Sequence, residues 1–442
     1  MDEYFVGDRK MGAMHIGLSV VATDVGGGFS IGLGGVGFLM GLSGSWLLFT
    51  GLLGAWLAAV LLIPKVWRLG NEFGFLTYPQ YLKHRYNDTM RLAAAVISAI
   101  GYAAFVGSQL LAGAKLASAA FTIDQTTAVW AMAIVVIGYT ALGGLQAVVF
   151  TDTIQWGVLL GGLSLFALPF SWEAVGGWQG MKAALPASHF DLFALEASTF
   201  FTWMLTIVPI WFVGMTLYQR IYATRDVKTA RRAWYFAGLL EWPLMAFLGV
   251  LLGMMGRVMF PDVEPEMGLP LLVKEVLPIG VVGVVMAAYF SAIMSTADSC
   301  LLASVGNVTS DIYQRYLDRG ASDRRLLRLS RALTVVIGLA SVGLALAVPS
   351  VLEAMLLAYG FMVSGLFAPT IGGLLWPRVS SSAALFSMLL GGGTIICLTI
   401  APQWSPFSDP ILLALPLSFV ALVVATWLVP RKPTEGNEET VS

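Results

Sequence analysis

Charged residues, cysteine and histidine are all scarce in this sequence. Only 12% of its 442 residues are charged and 57% are hydrophobic, whereas a soluble domain has about 25% charged and 45–50% apolar residues. This composition excludes a soluble enzyme, a nucleic-acid-binding protein and a disordered scaffold. A net charge of -1 provides no field to attract a charged macromolecule over the whole chain. The sequence is that of an integral membrane protein, with the lipid bilayer as its surroundings.

The few cysteines and histidines carry no recognisable catalytic chemistry. Cys300 and Cys397 both lie in apolar runs and are typical of small core residues. Three histidines are too few and too scattered for a metal cluster or a catalytic triad. With no nucleophile–base pair in view, we expect neither an enzyme nor an obligate protein partner.

About twelve windows in the sequence contain roughly 20 mostly apolar residues, the length that spans a bilayer. The expected fold class is therefore an all-α polytopic membrane protein. With the N-terminus in the cytoplasm and alternating spans, nearly all of the 25 lysines and arginines lie on the cytoplasmic side. The exceptions are Lys115, Lys182, Arg257 and Lys274. One of the cytoplasmic clusters comprises Arg220, Arg225, Lys228, Arg231 and Arg232. We therefore expect both termini to be cytoplasmic.

The first predicted span contains a glycine run beside an acidic residue. Asp24 and Val25 are followed by Gly26, Gly27 and Gly28. Non-helical backbone inside a bilayer is tolerated only where it packs within protein or lines a cavity. The run predicts a helix break whose free carbonyl groups suit a hard cation. A close helix crossing through small residues is the alternative explanation.

The sixth predicted span is interrupted more mildly, by Pro209 and Gly214. A simple proline kink is the alternative explanation here. The first and sixth spans are, however, five helices apart in the chain. Two inverted repeats of five helices place their discontinuous helices at these positions, around a central binding site.

Oxygen-bearing side chains are concentrated in the eighth predicted span. Ser291, Ser295 and Ser299 are spaced four residues apart and share one helix face, with Thr296 beside them and Asp298 close by. Oxygen ligands without histidine or thiolate suit an alkali cation rather than zinc or copper. Because serine and threonine also bond to their own helix, an ordinary packing face is the alternative.

Several of these segments resemble the sodium/solute symporter family, which includes proline, pantothenate, galactose, sialic-acid and choline transporters. The resemblance covers residues 4–380 and is most specific between the fourth and fifth spans. The matching residues there are Tyr139-Thr140, Gly143-Gly144, Ala147-Val148, Thr151-Asp152 and Gln155. The segment from Met294 to Ser299 is similar to the proline-transporter branch.

The resemblance implies a LeuT-like transporter core built from two inverted repeats of five helices. We expect six segments: a cytoplasmic segment 1–13, a first repeat 14–170, an outer loop 171–196, a second repeat 197–376, two additional helices in 377–429 and a cytoplasmic tail 430–442. Most family members have one further helix before the segment that corresponds to 5–9. Either the start of this sequence was assigned late or this branch of the family lacks the helix, and we expect the former.

The resemblance also implies two ion sites and a coupling residue. The main sodium site would use the backbone carbonyls of Ala22, Val25 and Ala292 with the hydroxyls of Ser295 and Thr296. Asp24 matches an aspartate that is important for sodium coupling in proline-type members. A possible second ion site would comprise Asp152, Asp298 and Ser299 together with Ser295. Sialic-acid-type members have a hydroxyl in place of Asp298, so the two aspartates either hold an ion strongly or share a proton.

Substrate contacts are implied for seven residues: Gly28, Phe29, Gln109, Trp203, Trp211, Phe212 and Tyr359. Aromatic side chains can enclose a quaternary ammonium or stack on a sugar or a proline ring. The predicted function is sodium-coupled symport of a small organic solute, an amino acid such as proline, by alternating access in the cell membrane. Uptake of a choline-like, carboxylate or sugar solute, or a proton-coupled carrier that uses the intramembrane aspartates, are the alternatives.

Overall fold

The computed structural model describes residues 9–24, 27–142 and 145–429, without the side chains of residues 27–29 and 145–153. The described chain is almost entirely helical. Its helices are α1 (Ala13–Asp24), α2 (Gly27–Met40), α3 (Trp46–Leu61), α4 (Ile63–Phe73), α5 (Tyr78–Arg85), α6 (Asp88–Phe121), α7 (Gln125–Leu142), α8 (Leu145–Gly162), α9 (Leu168–Ala174), α10 (Gly177–Ala184), α11 (Ala197–Val213), α12 (Met215–Ala223), α13 (Val227–Leu239), α14 (Ala246–Met259), α15 (Pro265–Val276), α16 (Val281–Gly306), α17 (Asp323–Ala347), α18 (Val351–Leu375), α19 (Ser381–Ile400) and α20 (Ile411–Leu428). Three π-helical turns continue α8, α13 and α16: Leu163–Ala167, Leu240–Met245 and Asn307–Leu317.

Several helices begin at a polar residue that caps the first turn. Asn87, Asp226, Ser350 and Ser380 each accept a hydrogen bond from the backbone N–H three residues later. These bonds satisfy donors that the helix itself leaves unpaired. The caps fix where α6, α13, α18 and α19 begin.

Ten helices of the described chain are long and apolar enough to cross a membrane, or eleven when one bent pair counts as a span. Twelve spans were expected from the sequence. The count covers only the described residues, which omit Val25 and Gly26 between α1 and α2, and a 3-10 turn (Gly41–Ser45) joins α2 to α3. The run Ser30–Leu61 therefore counts as one span of 32 residues.

Helix breaks occur in two of the described spans. Gly214 has extended backbone (φ −65°, ψ 115°), and α11 and α12 are bent by 43° around it. This confirms the discontinuity predicted for the sixth span. A second break, which was not predicted, lies at Trp242 (φ −132°, ψ 109°) beside Pro243. The break predicted in the first span falls between α1 and α2, where Val25 and Gly26 lie outside the described residues.

The two central helices of the bundle are α6 and α16, which pack against each other along much of their length. The α1, α2 and α12 helices pack against α16, and α18 packs against α6 and α11. The contacts of Ala22 with Thr296 and of Arg220 with Ser299 place α1 and α12 beside the middle of α16, where the hydroxyl residues of the eighth predicted span lie. By contrast α17 is largely exposed on its outer face, as expected for a helix in contact with lipid.

Candidate ion and solute site

The end of α1 meets the middle of α16 at residues predicted to bind sodium. The Thr296 hydroxyl donates to the carbonyl oxygen of Ala22 at 2.8 Å and to that of Ala292 at 3.1 Å. Ser295, beside Thr296, is buried. Val25, the remaining predicted ligand, lies outside the described residues. The structure thus brings three of the five predicted ligands into contact.

These three groups are uncharged oxygen ligands. Two carbonyls and a hydroxyl suit a hard alkali cation, whereas zinc and copper sites use histidine or thiolate. Within the described ranges, no group of three or more histidine, cysteine or acidic side chains could hold a metal ion. The chemistry of the donor set therefore fits sodium and does not resemble a transition-metal centre.

The residues of the predicted second ion site have protein hydrogen-bond partners. Thr140 on α7 donates a short hydrogen bond to Asp298. Arg220 donates from Nη2 to the Ser299 hydroxyl at 3.0 Å. The side chain of Asp152 lies outside the described residues. Hydrogen bonds from α7 and α12 therefore position two of the predicted ligands, Asp298 and Ser299.

Arg220 was expected in a cytoplasmic cluster, but the structure buries it completely. Its Nε donates to the Ser19 hydroxyl at 3.0 Å, its Nη2 to the Thr23 hydroxyl at 2.5 Å and its Nη1 to the Thr216 carbonyl at 3.2 Å. Together with the bond to Ser299, these contacts tie α12 to both α1 and α16. A fixed positive charge consequently lies among the predicted ion ligands.

Asp24, the predicted coupling residue, is buried at the end of α1. The Tyr359 hydroxyl on α18 donates to its Oδ1 at 3.2 Å. The carboxyl groups of Asp24 and Glu241 both lie beside Gly51 on α3, so close that any side chain at position 51 would collide with Glu241. The Glu241 carboxyl group is therefore a neighbour of the Asp24 carboxyl group inside the bundle. No recognisable motif surrounds Glu241, so the sequence predicts only that this residue lies within a span.

A small internal cavity adjoins Asp24 at the break between α11 and α12. Its lining includes Asp24, Tyr102, Thr216, Cys300 and Tyr359. The Tyr102 hydroxyl and the Thr216 hydroxyl are 3.1 Å apart, which joins α6 to α12 across it. The cavity volume is about 10 Å³, enough for about one water molecule. This cavity therefore has no room for an organic solute.

Tyr359 is the only predicted substrate residue that lines this cavity within the described part of the chain. Its ring stacks on Phe105 with 4.8 Å between ring centres. Gln109 is buried further along α6 and donates to the Ser108 hydroxyl at 3.3 Å. The side chains of Gly28 and Phe29 lie outside the described residues.

The aromatic residues predicted on α11 pack mainly between helices. Trp211 fits against Gly54 of α3, where any side chain would collide with its indole ring, and contacts Trp234 edge-on. Phe212 packs edge-on against Phe367 at 5.6 Å between ring centres. Trp203 is also buried. In this structure, these three side chains pack between helices and do not line the cavity beside Asp24.

Buried ion pairs lie near both ends of α6. At one end, Arg91 pairs with Asp311 at 2.7 Å, and Asp311 also accepts from Thr77. At the other end, Lys115 pairs with Glu266 at 2.5 Å. Glu266 further accepts the backbone N–H groups of residues 351 and 352 at the start of α18. Lys115, one of the four basic residues not expected on the cytoplasmic side, therefore pairs with two carboxylates, those of Glu264 and Glu266.

The chain matches the family model described as "Sodium:solute symporter family" over residues 4–391. It is similar to the high-affinity proline transporter PutP of Bacillus subtilis, with 26% identity over 419 residues covering 90% of this chain and 86% of that protein. It is also similar to the sodium/pantothenate symporter of Escherichia coli, with 29% identity over 440 residues covering 96% and 90%.

Its fold is similar to that of a Na+-coupled sialic acid symporter solved in a substrate-bound outward-open state. The TM-score is 0.78 at 22% identity, covering 98% of this chain and 93% of that chain. A second similar structure is Mhp1, a nucleobase-cation-symport-1 family transporter, with a TM-score of 0.63 at 12% identity, covering 95% and 92%. The fold is thus that of a LeuT-like, multi-pass membrane transporter. The chain belongs to the sodium:solute symporter family; it is a sodium-coupled symporter and not an enzyme.

Proposed function

We propose that this protein imports a small amino acid such as proline with sodium, by alternating access across the cell membrane. The observation that carries the proposal is the contact of Thr296 with the Ala22 carbonyl, which joins the end of α1 to a helix rich in hydroxyl groups. Proline transporters are prominent among the similar proteins, and they support the choice of solute. Both termini are proposed to be cytoplasmic, on the distribution of lysine and arginine.

Sodium is proposed to bind to Ala22, Val25, Ala292, Ser295 and Thr296, with Asp24 as the coupling residue. Asp152, Asp298 and Ser299 are proposed as a second cation site, where any ion must be accommodated beside the Arg220 guanidinium. The solute is proposed to bind near Asp24 and Tyr359, in a conformation with a wider cavity to which Gly28, Phe29, Gln109, Trp203, Trp211 and Phe212 also contribute. The repeats are proposed to span residues 14–170 and 197–376.

Sodium and solute can be coupled only if each binds one conformation better than another. Sodium that joins α1 to α16 would stabilise the arrangement in which the solute site is complete, and linkage makes the effect reciprocal. Opening on one side must loosen contacts such as the Lys115–Glu266 pair, and opening on the other must loosen contacts such as Arg91–Asp311. A membrane potential adds about 2.3 kcal/mol per charge per 100 mV to sodium entry.

A thermal-shift measurement on detergent-purified protein tests the proposal. Sodium is compared with potassium at equal ionic strength, and L-proline, pantothenate, choline and myo-inositol are then added in sodium. We expect sodium to raise the melting temperature and proline to raise it further, since a ligand at a hundred times its Kd stabilises by about 2.7 kcal/mol. Stabilisation by another solute would replace proline in the proposal. Stabilisation by low pH without any sodium effect would contradict sodium coupling.

Replacing Ser295 and Thr296 by alanine together tests the ion site itself. We expect the sodium-dependent shift to disappear, because two of the proposed ligands are removed. Thr334→Ala is a matched control, since Thr334 is also buried and also bonds to the carbonyl four residues earlier, but it lies on α17. A full sodium shift in the double variant would exclude these hydroxyls from the site.

A further inference from the structure

An arginine-lined groove lies where the end of α16 meets the start of α17. Tyr313, Arg325, Arg328 and Leu329 line it, and its volume is about 520 Å³. The Arg325 guanidinium is 5.9 Å from the centre of the Tyr313 ring and 2.7 Å from the Asp318 carboxylate. The residues that line the groove include none of the proposed sodium ligands.

Positive charge in and around the groove is only partly neutralised. Residues 315–331 contain six arginines and two aspartates. Arg325 is paired with Asp318, yet more than half of its side chain remains exposed. Arg328 is exposed, and no carboxylate in the described ranges pairs with it. The groove therefore has capacity for an anion.

Below the groove, one face of α17 is apolar and uncovered. This face includes Arg328, Val335, which follows it by seven residues, and Leu339, which follows it by eleven. These spacings place the three residues on one side of the helix. Val335 is 42% exposed and Leu339 is 49% exposed. Because this helix lies at the periphery of a membrane bundle, that face contacts acyl chains. Arg328 is thus at the level where the headgroup of such a lipid would be found.

We propose that the groove binds the phosphate of an anionic glycerophospholipid, with the acyl chains lying against α17. Guanidinium groups bind phosphate oxygens through paired, charge-assisted hydrogen bonds. Tyrosine is favoured at the depth of lipid headgroups, and basic pockets beside membrane helices recognise anionic lipids. A free phosphate ion would gain the arginine contacts alone, whereas a lipid also gains the apolar face of α17.

Native mass spectrometry of delipidated protein with added phosphatidylglycerol or phosphatidylcholine tests the site. We expect one phosphatidylglycerol to bind in preference to phosphatidylcholine. Arg328→Gln should weaken that binding about fivefold and the double variant Arg325→Gln/Arg328→Gln about thirtyfold, at about 1 kcal/mol per basic residue. Arg378→Gln, which removes one exposed arginine elsewhere, is the matched control and should leave the binding unchanged.

Three outcomes would overturn the proposal. Equal binding of the two lipids, or equal losses in Arg328→Gln and Arg378→Gln, would show a general effect of charge at the membrane surface. Displacement of phosphatidylglycerol by an equal concentration of inorganic phosphate would make the groove a site for the free anion. A retained sodium-dependent thermal shift in each variant verifies that the protein is folded.

Discussion

The two predicted cation sites differ in what the protein already supplies. At the main sodium site, two carbonyls and the Thr296 hydroxyl converge without a formal charge among them. At the second site, Asp298 accepts from Thr140, and Ser299 accepts from the guanidinium of Arg220. The main site thus consists of uncharged carbonyl and hydroxyl groups. The second site includes the carboxylate of Asp298 and lies against the positive charge of Arg220.

This difference has a consequence for ion binding. Neutral oxygens fixed by two helices can take a cation and use it to hold those helices together. A cluster that already includes a buried guanidinium gains less from a second positive charge, because like charges repel strongly where water is excluded. We therefore expect the main site to determine the sodium dependence of uptake. Substitutions at the second site should mainly affect the stability of the protein.

The largest effect is expected for Arg220→Met, which removes the fixed cation. The variant loses the hydrogen bonds of Arg220 to Ser19, Thr23 and Ser299, which join α12 to α1 and α16. Hydrogen bonds that involve a charged group contribute about 1.5–3 kcal/mol each. We expect a markedly lower melting temperature in detergent and loss of solute uptake.

Arg225→Met is the matched control, because Arg225 follows closely in the chain but has 68% of its side chain exposed. It should behave nearly like the wild type. If Arg220→Met were as stable and active as Arg225→Met, the guanidinium would not be an essential part of the second site.

A smaller effect is expected from Thr296→Ala at the main site. The change removes the hydroxyl that contacts the Ala22 carbonyl, so the sodium concentration for half-maximal uptake should rise about tenfold, equivalent to one lost hydrogen bond of about 1.4 kcal/mol. Thr296→Ser keeps the hydroxyl and should stay within about twofold. Equal behaviour of the two variants would show that the methyl group, not the hydroxyl, matters.

Much of the architecture could be predicted from the sequence. The apolar composition gave the membrane class, and Pro209 with Gly214 marked the discontinuous sixth span, because these residue types interrupt helical backbone. The family resemblance predicted that Ala22 and Thr296 belong to one site, and the two residues are in contact. That they act as sodium ligands stays a prediction.

Arg220 and Glu241 illustrate what the sequence could not provide. Arg220 is followed by further basic residues, so a count of positive charge per loop placed it at the membrane surface. Its depth depends on the break at Gly214 and on hydroxyl partners from distant helices, Ser19 and Ser299. Glu241 is buried against Gly51 by tertiary packing alone, and no local pattern indicates that neighbour.

The smallest effect is expected from Ser299→Ala, measured against Ser295→Ala four residues earlier on the same helix. Both changes remove one buried hydroxyl from α16. Arg220 keeps its contacts with Ser19, Thr23 and Thr216 when Ser299 is replaced. The sodium requirement for uptake should then change less than about threefold in Ser299→Ala, below the effect of one net hydrogen bond.

Ser295→Ala should weaken apparent sodium affinity by more than Ser299→Ala, and the Hill coefficient for sodium separates the two interpretations. If Ser299 only supports Arg220, its replacement leaves that coefficient unchanged, since the number of sodium ions is the same. A fall in the coefficient for Ser299→Ala alone would show that a second sodium binds despite the guanidinium. The contrast between the two sites would then lie in affinity, and Arg220 would have to move when the second ion enters.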